Sequence, residues 1–221
     1  MFYTSLFFSY SNSPLAPLDS TPVIYCDNSL VIINKPAGLL SVPGRDPDKQ
    51  DCLFSRIKRE FSDALLVHRL DMATSGLMVF ARGIDMQRKL SRLFHERLVQ
   101  KGYVAIVEGR PKAASGEIDL PITADWPNRP LQKVDHINGR PSLTRYRRIS
   151  QDNTTCRLDL QPLTGRTHQL RLHMAAIGHP ILGDTLYGGR KAERLLLHAS
   201  SLLFAHPYSG AILDFRSKPP F

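Results

Sequence analysis

The run Leu77-Met78-Val79-Phe80-Ala81 contains no polar side chain, and a strand carries such a sequence only where both of its faces are covered. It therefore asks for a sheet with packed layers on either side. Just ahead of it come His68, Arg69, Asp71, Thr74, Ser75 and Gly76, and ahead of those the apolar Leu65-Leu66-Val67. A carboxylate, a guanidinium, an imidazole and two hydroxyls are thus crowded between two segments apolar enough to be buried. Ser, Thr and Asp are ordinary turn residues that can simply satisfy a tight loop. The same density of polar groups between buried strands also suits chemistry.

The rest of the chain reads as short strands interrupted by a few helices. Val23-Ile24-Tyr25 and Ser29 to Asn34 flank Asp27-Asn28, a hairpin signal, and Lys35-Pro36-Ala37-Gly38 is a turn. Phe54, Ile57 and Phe61 keep a helical spacing. From Asp85, read as an N-cap, Met86, Leu90, Leu93, Phe94 and Leu98 predict a second, amphipathic helix. Strands are expected over Lys101 to Gly109, Glu117 to Ile122, Ser142 to Ser150 and Cys156 to Gln161, the last alternating apolar and polar. A third helix is expected over His168 to Ile177, stopped by Gly178, and a closing hairpin over Leu195 to Ala205 and Ala211 to Arg216. This is an α+β pattern with a long mixed, largely antiparallel sheet, not a doubly wound one. Residues 1–22, rich in Ser, Asn and Pro, read as an extended arm, and residues 23–221 as a single domain.

Lys and Arg number 29 against 20 Asp and Glu, a net charge of +9. That balance favours a polyanionic partner, because neutralising phosphates releases condensed counterions. Cys26, Cys52 and Cys156 are odd in number and far apart, so neither a disulfide framework nor a paired-thiol motif is present, which fits a reducing cytoplasm. No apolar run approaches the roughly 20 residues of a membrane-spanning helix. His168, His173 and His179 lack metal-ligand spacing, so no metal and no cofactor is expected. The absence of a heptad pattern points to a monomer.

The run His68-Arg69-Leu70-Asp71-Met72-Ala73-Thr74-Ser75-Gly76 resembles the catalytic signature of the RluA-type pseudouridine synthases. Further matches follow the family order: Asn34-Lys35-Pro36-Ala37-Gly38-Leu39, Lys101-Gly102-Tyr103-Val104-Ala105, Gly165 to Met174 and Gly178 to Asp184. Together they span roughly residues 23–216. Asp125-Trp126-Pro127-Asn128-Arg129-Pro130 with Gln132-Lys133-Val134 resembles the subgroup that modifies both 23S rRNA and tRNA. The resemblance implies the pseudouridine synthase catalytic fold, here without the S4-type RNA-binding domain that many relatives carry in front.

It also implies the chemistry. Isomerising uridine to pseudouridine breaks the bond from ribose C1′ to N1 and rejoins the same base through C5. A carboxylate must act as nucleophile or base, much as in glycoside cleavage. Asp71 matches that residue, Arg171 the arginine that pairs with it, and Tyr103 the active-site tyrosine that can stack on the base and move a proton. The target base must leave its stack to reach a buried carboxylate. Arg69 is expected to fill the gap or clamp a phosphate, Arg166 to meet phosphate, His68 to orient the loop, and Thr74 and Ser75 to hold the turn through backbone hydrogen bonds. The rival reading is a non-catalytic protein that binds structured RNA, for which charge and aromatic content would look the same.

Overall fold

A computed structural model of the chain describes residues 22–221. The extended arm expected over residues 1–22 lies, but for residue 22, outside the described residues. The apolar run does form a strand buried on both faces: β4, Ser75–Arg82, has every residue from Ser75 to Ala81 buried. It pairs antiparallel with β2, Leu30–Lys35, which is hairpin-linked to β1, Val23–Cys26. Asp27 builds the connecting turn by accepting hydrogen bonds from the backbone N–H groups of Ser29 and Leu30 at 2.6 and 2.8 Å.

The strand period of two divides the covering layers. Val31, Ile33, Met78 and Phe80 pack against Leu53 and Ile57 of α1, Leu53–Glu60. Leu30, Ile32, Leu77 and Val79 point the other way, onto Met86 and Leu90 of α2, Ile84–His95. Each such side chain buried in full contributes about 1.5–3 kcal/mol, so the two helices are bound to opposite faces of one strand pair.

The remaining strands are β3, Ala64–Leu66; β5, Gln100–Glu108; β6, Ser115–Asp119; β7, Ile122–Ala124; β8, Gln132–Val134; β9, Leu143–Gln151; β10, Thr155–Pro162; β11, Leu197–Ala205; and β12, Ile212–Arg216. The main sheet has the order β1-β2-β4-β11-β5-β10-β9-β6, with β3 also on β4 and β12 also on β11. Its pairs are antiparallel except β4 with β11, which run parallel. The alternation expected of β10 is complete, every second residue being buried. These apolar side chains pack with Leu170 and Met174 of α3, Gln169–Ala176. The mixed α+β architecture is therefore as expected.

Three local expectations are corrected. Glu117 to Ile122 is not one strand: Pro121 lacks an N–H to continue a ladder, and Ile122–Ala124 pairs instead with Gln132–Val134 in a separate two-stranded hairpin. The N-cap of α2 is Gly83, at φ 81°, with Asp85 inside the first turn. Leu98 falls beyond that helix, which ends at His95 before Arg97 takes φ 62° and turns the chain into β5.

Candidate active site

Asp71 lies in the loop that enters β4, and that loop is pinned on both sides of it. Ser41 Oγ donates to the carbonyl of Leu70 at 2.6 Å and accepts from the Leu70 N–H at 3.1 Å. On the other side, the carbonyl of Met72 accepts from Gly38 N–H at 2.8 Å and from Lys35 Nζ at 3.1 Å. Lys35 is 1 % exposed, and its Nζ also donates to the carbonyls of Pro36 and Leu39 at 2.9 and 2.8 Å. Three carbonyls meet the three donors of an ammonium. Burial pushes Lys35 down to about 7, while the charge of Asp71 opposes that shift.

The side chain of Asp71 faces α3. Arg171 Nη1 stands 3.5 Å from Asp71 Oδ2, and His168 Nε2 stands 3.8 Å from the same oxygen. The closer partner of Arg171 is Asp184: Nε and Nη2 donate to its two carboxylate oxygens at 2.8 and 2.7 Å. Both residues are buried. Burial opposes the charge of Arg171, but the hydrogen bonds it donates to Asp184 and the charges of Asp184 and Asp71 hold its pKa above the ordinary value. Asp184 in turn accepts from the backbone N–H groups of Leu186 and Tyr187.

A hydrogen-bond relay holds the ring of His168. Tyr187 Oη accepts from Gln132 N–H at 2.9 Å and lies 2.9 Å from His168 Nδ1. Where the Tyr187 hydroxyl donates to Nδ1, the ring proton sits on Nε2, toward Asp71. Burial lowers the pKa of His168, in keeping with a neutral ring.

Asp71, Tyr103, Arg171, His68, Arg69, Thr74 and Arg166 all line one cleft of about 770 Å³. Tyr103 reaches it from β5, where burial and the nearby Asp71 both push its hydroxyl upward, so the phenol keeps its proton. Arg69 is exposed at the rim and makes no hydrogen bond or ion pair among the described residues. Arg166 is also at the rim, its Nε 3.3 Å from the carbonyl of Pro141. Arg97 and Lys101 add two more cations to the lining.

His68 is expected to orient the loop; its Nε2 accepts from Val79 N–H at 3.0 Å and its ring stacks on Phe94. Thr74 does bond within the turn, its N–H reaching the Asp71 carbonyl at 3.1 Å. Ser75 departs from expectation. Its hydroxyl lies 2.8 Å from His198 Nδ1 and accepts from Arg194 Nη2 at 2.5 Å, so it ties the turn to β11 and not to its own backbone. Gly76, at φ 119°, does more than free the backbone, because a Cβ there would stand 2.3 Å from the carbonyl oxygen of Ala199. Lys35, Ser41, Asp184 and Tyr187 were not singled out by sequence as site residues, although Lys35 and Asp184 sit inside family-like runs. His168, His173 and His179 turn to different partners, namely Tyr187, Thr144 with Leu120, and Glu108.

The family model for RNA pseudouridylate synthase matches residues 29–176, which contain the Asp71 loop, Tyr103 and Arg171. The chain belongs to that family, in its RluA-type branch. It is 48% identical over 205 residues to the dual-specificity RNA pseudouridine synthase RluA of Escherichia coli strain K12, covering 90% of this chain and 93% of that protein. It is 46% identical over 216 residues to the protein of the same name from Haemophilus influenzae, covering 95% and 97%. Among solved structures, human RNA pseudouridylate synthase domain containing 1 superposes with a TM-score of 0.77 at 25% identity, covering 95% of this chain and 87% of that one. Human RNA pseudouridylate synthase domain containing 4 gives 0.74 at 28% identity, covering 90% and 88%. The pseudouridine synthase fold is thus shared, and the synthase is an isomerase acting on RNA. That decides against the non-catalytic reading. No helix among the described residues is long and apolar enough to cross a membrane.

Proposed function

We propose that this pseudouridine synthase modifies uridines in 23S rRNA and in the anticodon stem-loop of some tRNAs, acting in the cytoplasm and using Asp71 as the reacting carboxylate. The observation that carries the mechanism is the placement of Asp71 in the cleft with Arg171 Nη1 3.5 Å away and Tyr103 alongside. The breadth of substrate is supported by the likeness of Asp125 to Pro130 and Gln132 to Val134 to the dual-specificity subgroup, and by the relatives that carry that description.

A uridine leaves its stack and enters the cleft, and Arg69, exposed and unpaired at the rim, takes its place or grips the adjoining phosphate. Asp71 acts as nucleophile or base, the bond from C1′ to N1 breaks, and the base rejoins C1′ through C5. The proton on C5 is then lost and N1, freed of the sugar, takes one up, so the product is an isomer of the uridine. Tyr103 stacks on the base, and its phenol, already protonated, relays the C5 proton only as its own hydroxyl proton passes on. Arg171 supplies positive charge to the carboxylate throughout, and Arg166 meets phosphate at the rim.

Asp71→Asn tests this, because it keeps the side-chain volume and removes the charge. With RNA carrying tritium at uridine C5, the variant should bind as the parent does and release no tritium. Retained release would move the reacting group elsewhere. Parallel assays with 23S rRNA fragments and tRNA stem-loops test the substrate range, and release from only one class would reduce the dual reading to that class.

A further inference from the structure

The hairpin of β7 and β8 ends in an exposed tip, Trp126 to Pro130. Trp126 is 67% exposed, an unusual place for the largest apolar side chain, and it is the only tryptophan of the chain. The fold does not need it there for packing. Neither is the tip loosely built. Asp125 N–H bonds to the Leu131 carbonyl, Asn128 N–H to the Asp125 carbonyl, and Leu131 N–H to the Asn128 carbonyl, each at 3.0 Å. The Asn128 amide also donates to the Asp125 carboxylate at 3.0 Å. The guanidinium of Arg129 sits over the Trp126 ring, 4.7 Å from its centroid, which adds positive charge to one flat surface.

This rigid tip is joined to the active site. Gln132, the first residue of β8, donates its N–H to Tyr187, Tyr187 meets His168, and His168 faces Asp71. A planar aromatic braced by a cation, held by a hairpin that hydrogen-bonds into the catalytic cleft, suits a base–aromatic stack beside a phosphate backbone. An apolar protein partner is less well matched, because the exposed tip sets the charge of Arg129 and the amide of Asn128 among its apolar residues Trp126, Pro127 and Pro130.

We propose that Trp126, braced by Arg129, is a stacking platform for an unpaired base of the substrate RNA near the uridine being modified. The proposal rests on the catalytic reading above and assigns the β7–β8 hairpin a part in choosing RNAs that offer such a base. Trp126 is a binding residue here and takes no part in bond making.

A single tryptophan makes the test direct. Fluorescence of the full chain is followed during titration with a stem-loop RNA that it isomerises, with the same RNA made abasic at each unpaired position in turn, and with a fully paired duplex. The loop RNA should quench Trp126, one abasic position should abolish that quenching, and the duplex should not quench. Trp126→Ala should weaken Kd for the loop RNA about 10-fold, within the range of base stacking, and Trp126→Phe should recover most of that loss. Wild-type chain that isomerises the RNA with unchanged fluorescence, or Trp126→Ala with unchanged Kd, overturns the platform alone. Wild-type chain that isomerises no RNA overturns the catalytic reading and the platform with it.

Discussion

Arg171 is bound more tightly to Asp184 than to Asp71: 2.7 and 2.8 Å in a two-pronged contact against a single approach at 3.5 Å. Asp184 therefore sets where the guanidinium points, and Asp71 meets an arginine already in place. Such an arrangement spends no reorganisation when substrate arrives.

Removing either member of the Arg171–Asp184 pair should leave a buried charge without its partner, at a cost of about 3–5 kcal/mol. Arg171→Met and Asp184→Asn should each lower the urea midpoint strongly. The double variant should recover much of that stability, because the two losses are coupled, yet it should remain inactive. Recovery of turnover in the double variant would show that the pair serves folding alone.

Gly76→Ala should be severely destabilising, by more than about 3 kcal/mol, since the new methyl meets backbone atoms of Ala199 that cannot move without parting β4 from β11. Gly210→Ala, also at positive φ but with open space around it, should cost only about 1 kcal/mol. Thermal unfolding of the two variants makes the comparison, and equal shifts would refute the steric account.

The synthase should lose stability on mild acidification. Val79 N–H donates to His68 Nε2, so that nitrogen carries no proton, and burial with the charge of Lys101 pushes the ring down to about 3. Burial and Arg194 push His198 down to about 4. Both folded values lie below the ordinary histidine value of about 6.5, so the unfolded chain takes up protons first as pH falls. The stability these rings provide is whole above about pH 6.5 and declines toward pH 4, by up to about 1.4 kcal/mol per pH unit for each ring. Urea unfolding across that window should show the slope, and His68→Gln should flatten it. A slope unchanged in that variant would remove His68 from the account.

RNA affinity should fall steeply with salt, because Arg69, Arg97, Lys101 and Arg166 line the cleft. If all four meet phosphates, the slope of log K against log salt is about −3. Arg166→Gln should make it shallower by somewhat under one unit. A parent slope near zero would place the phosphates elsewhere.

Sequence by itself determined much of this protein. The unbroken apolar run at Leu77 to Ala81 pointed to a strand covered on both faces, and the alternation from Cys156 to Gln161 to one covered on a single face. The ordered motifs also put Asp71, Tyr103 and Arg171 forward as one group, and the fold does gather them in a single cleft. What they could not tell is which segments lie side by side. A period of two says which way a side chain points and nothing about its neighbour. The β4–β11 crossover alone brings Ser75 against His198, 123 positions away, and makes glycine obligatory at 76. The turn at Lys35 reaches Met72 only because β2 runs antiparallel to β4. Asp184 lies 13 positions after Arg171, beyond the reach of any helical spacing, so only the folded chain could reveal which carboxylate holds that arginine. Long-range contacts arise from sheet order and layer packing, and local periodicity does not encode them.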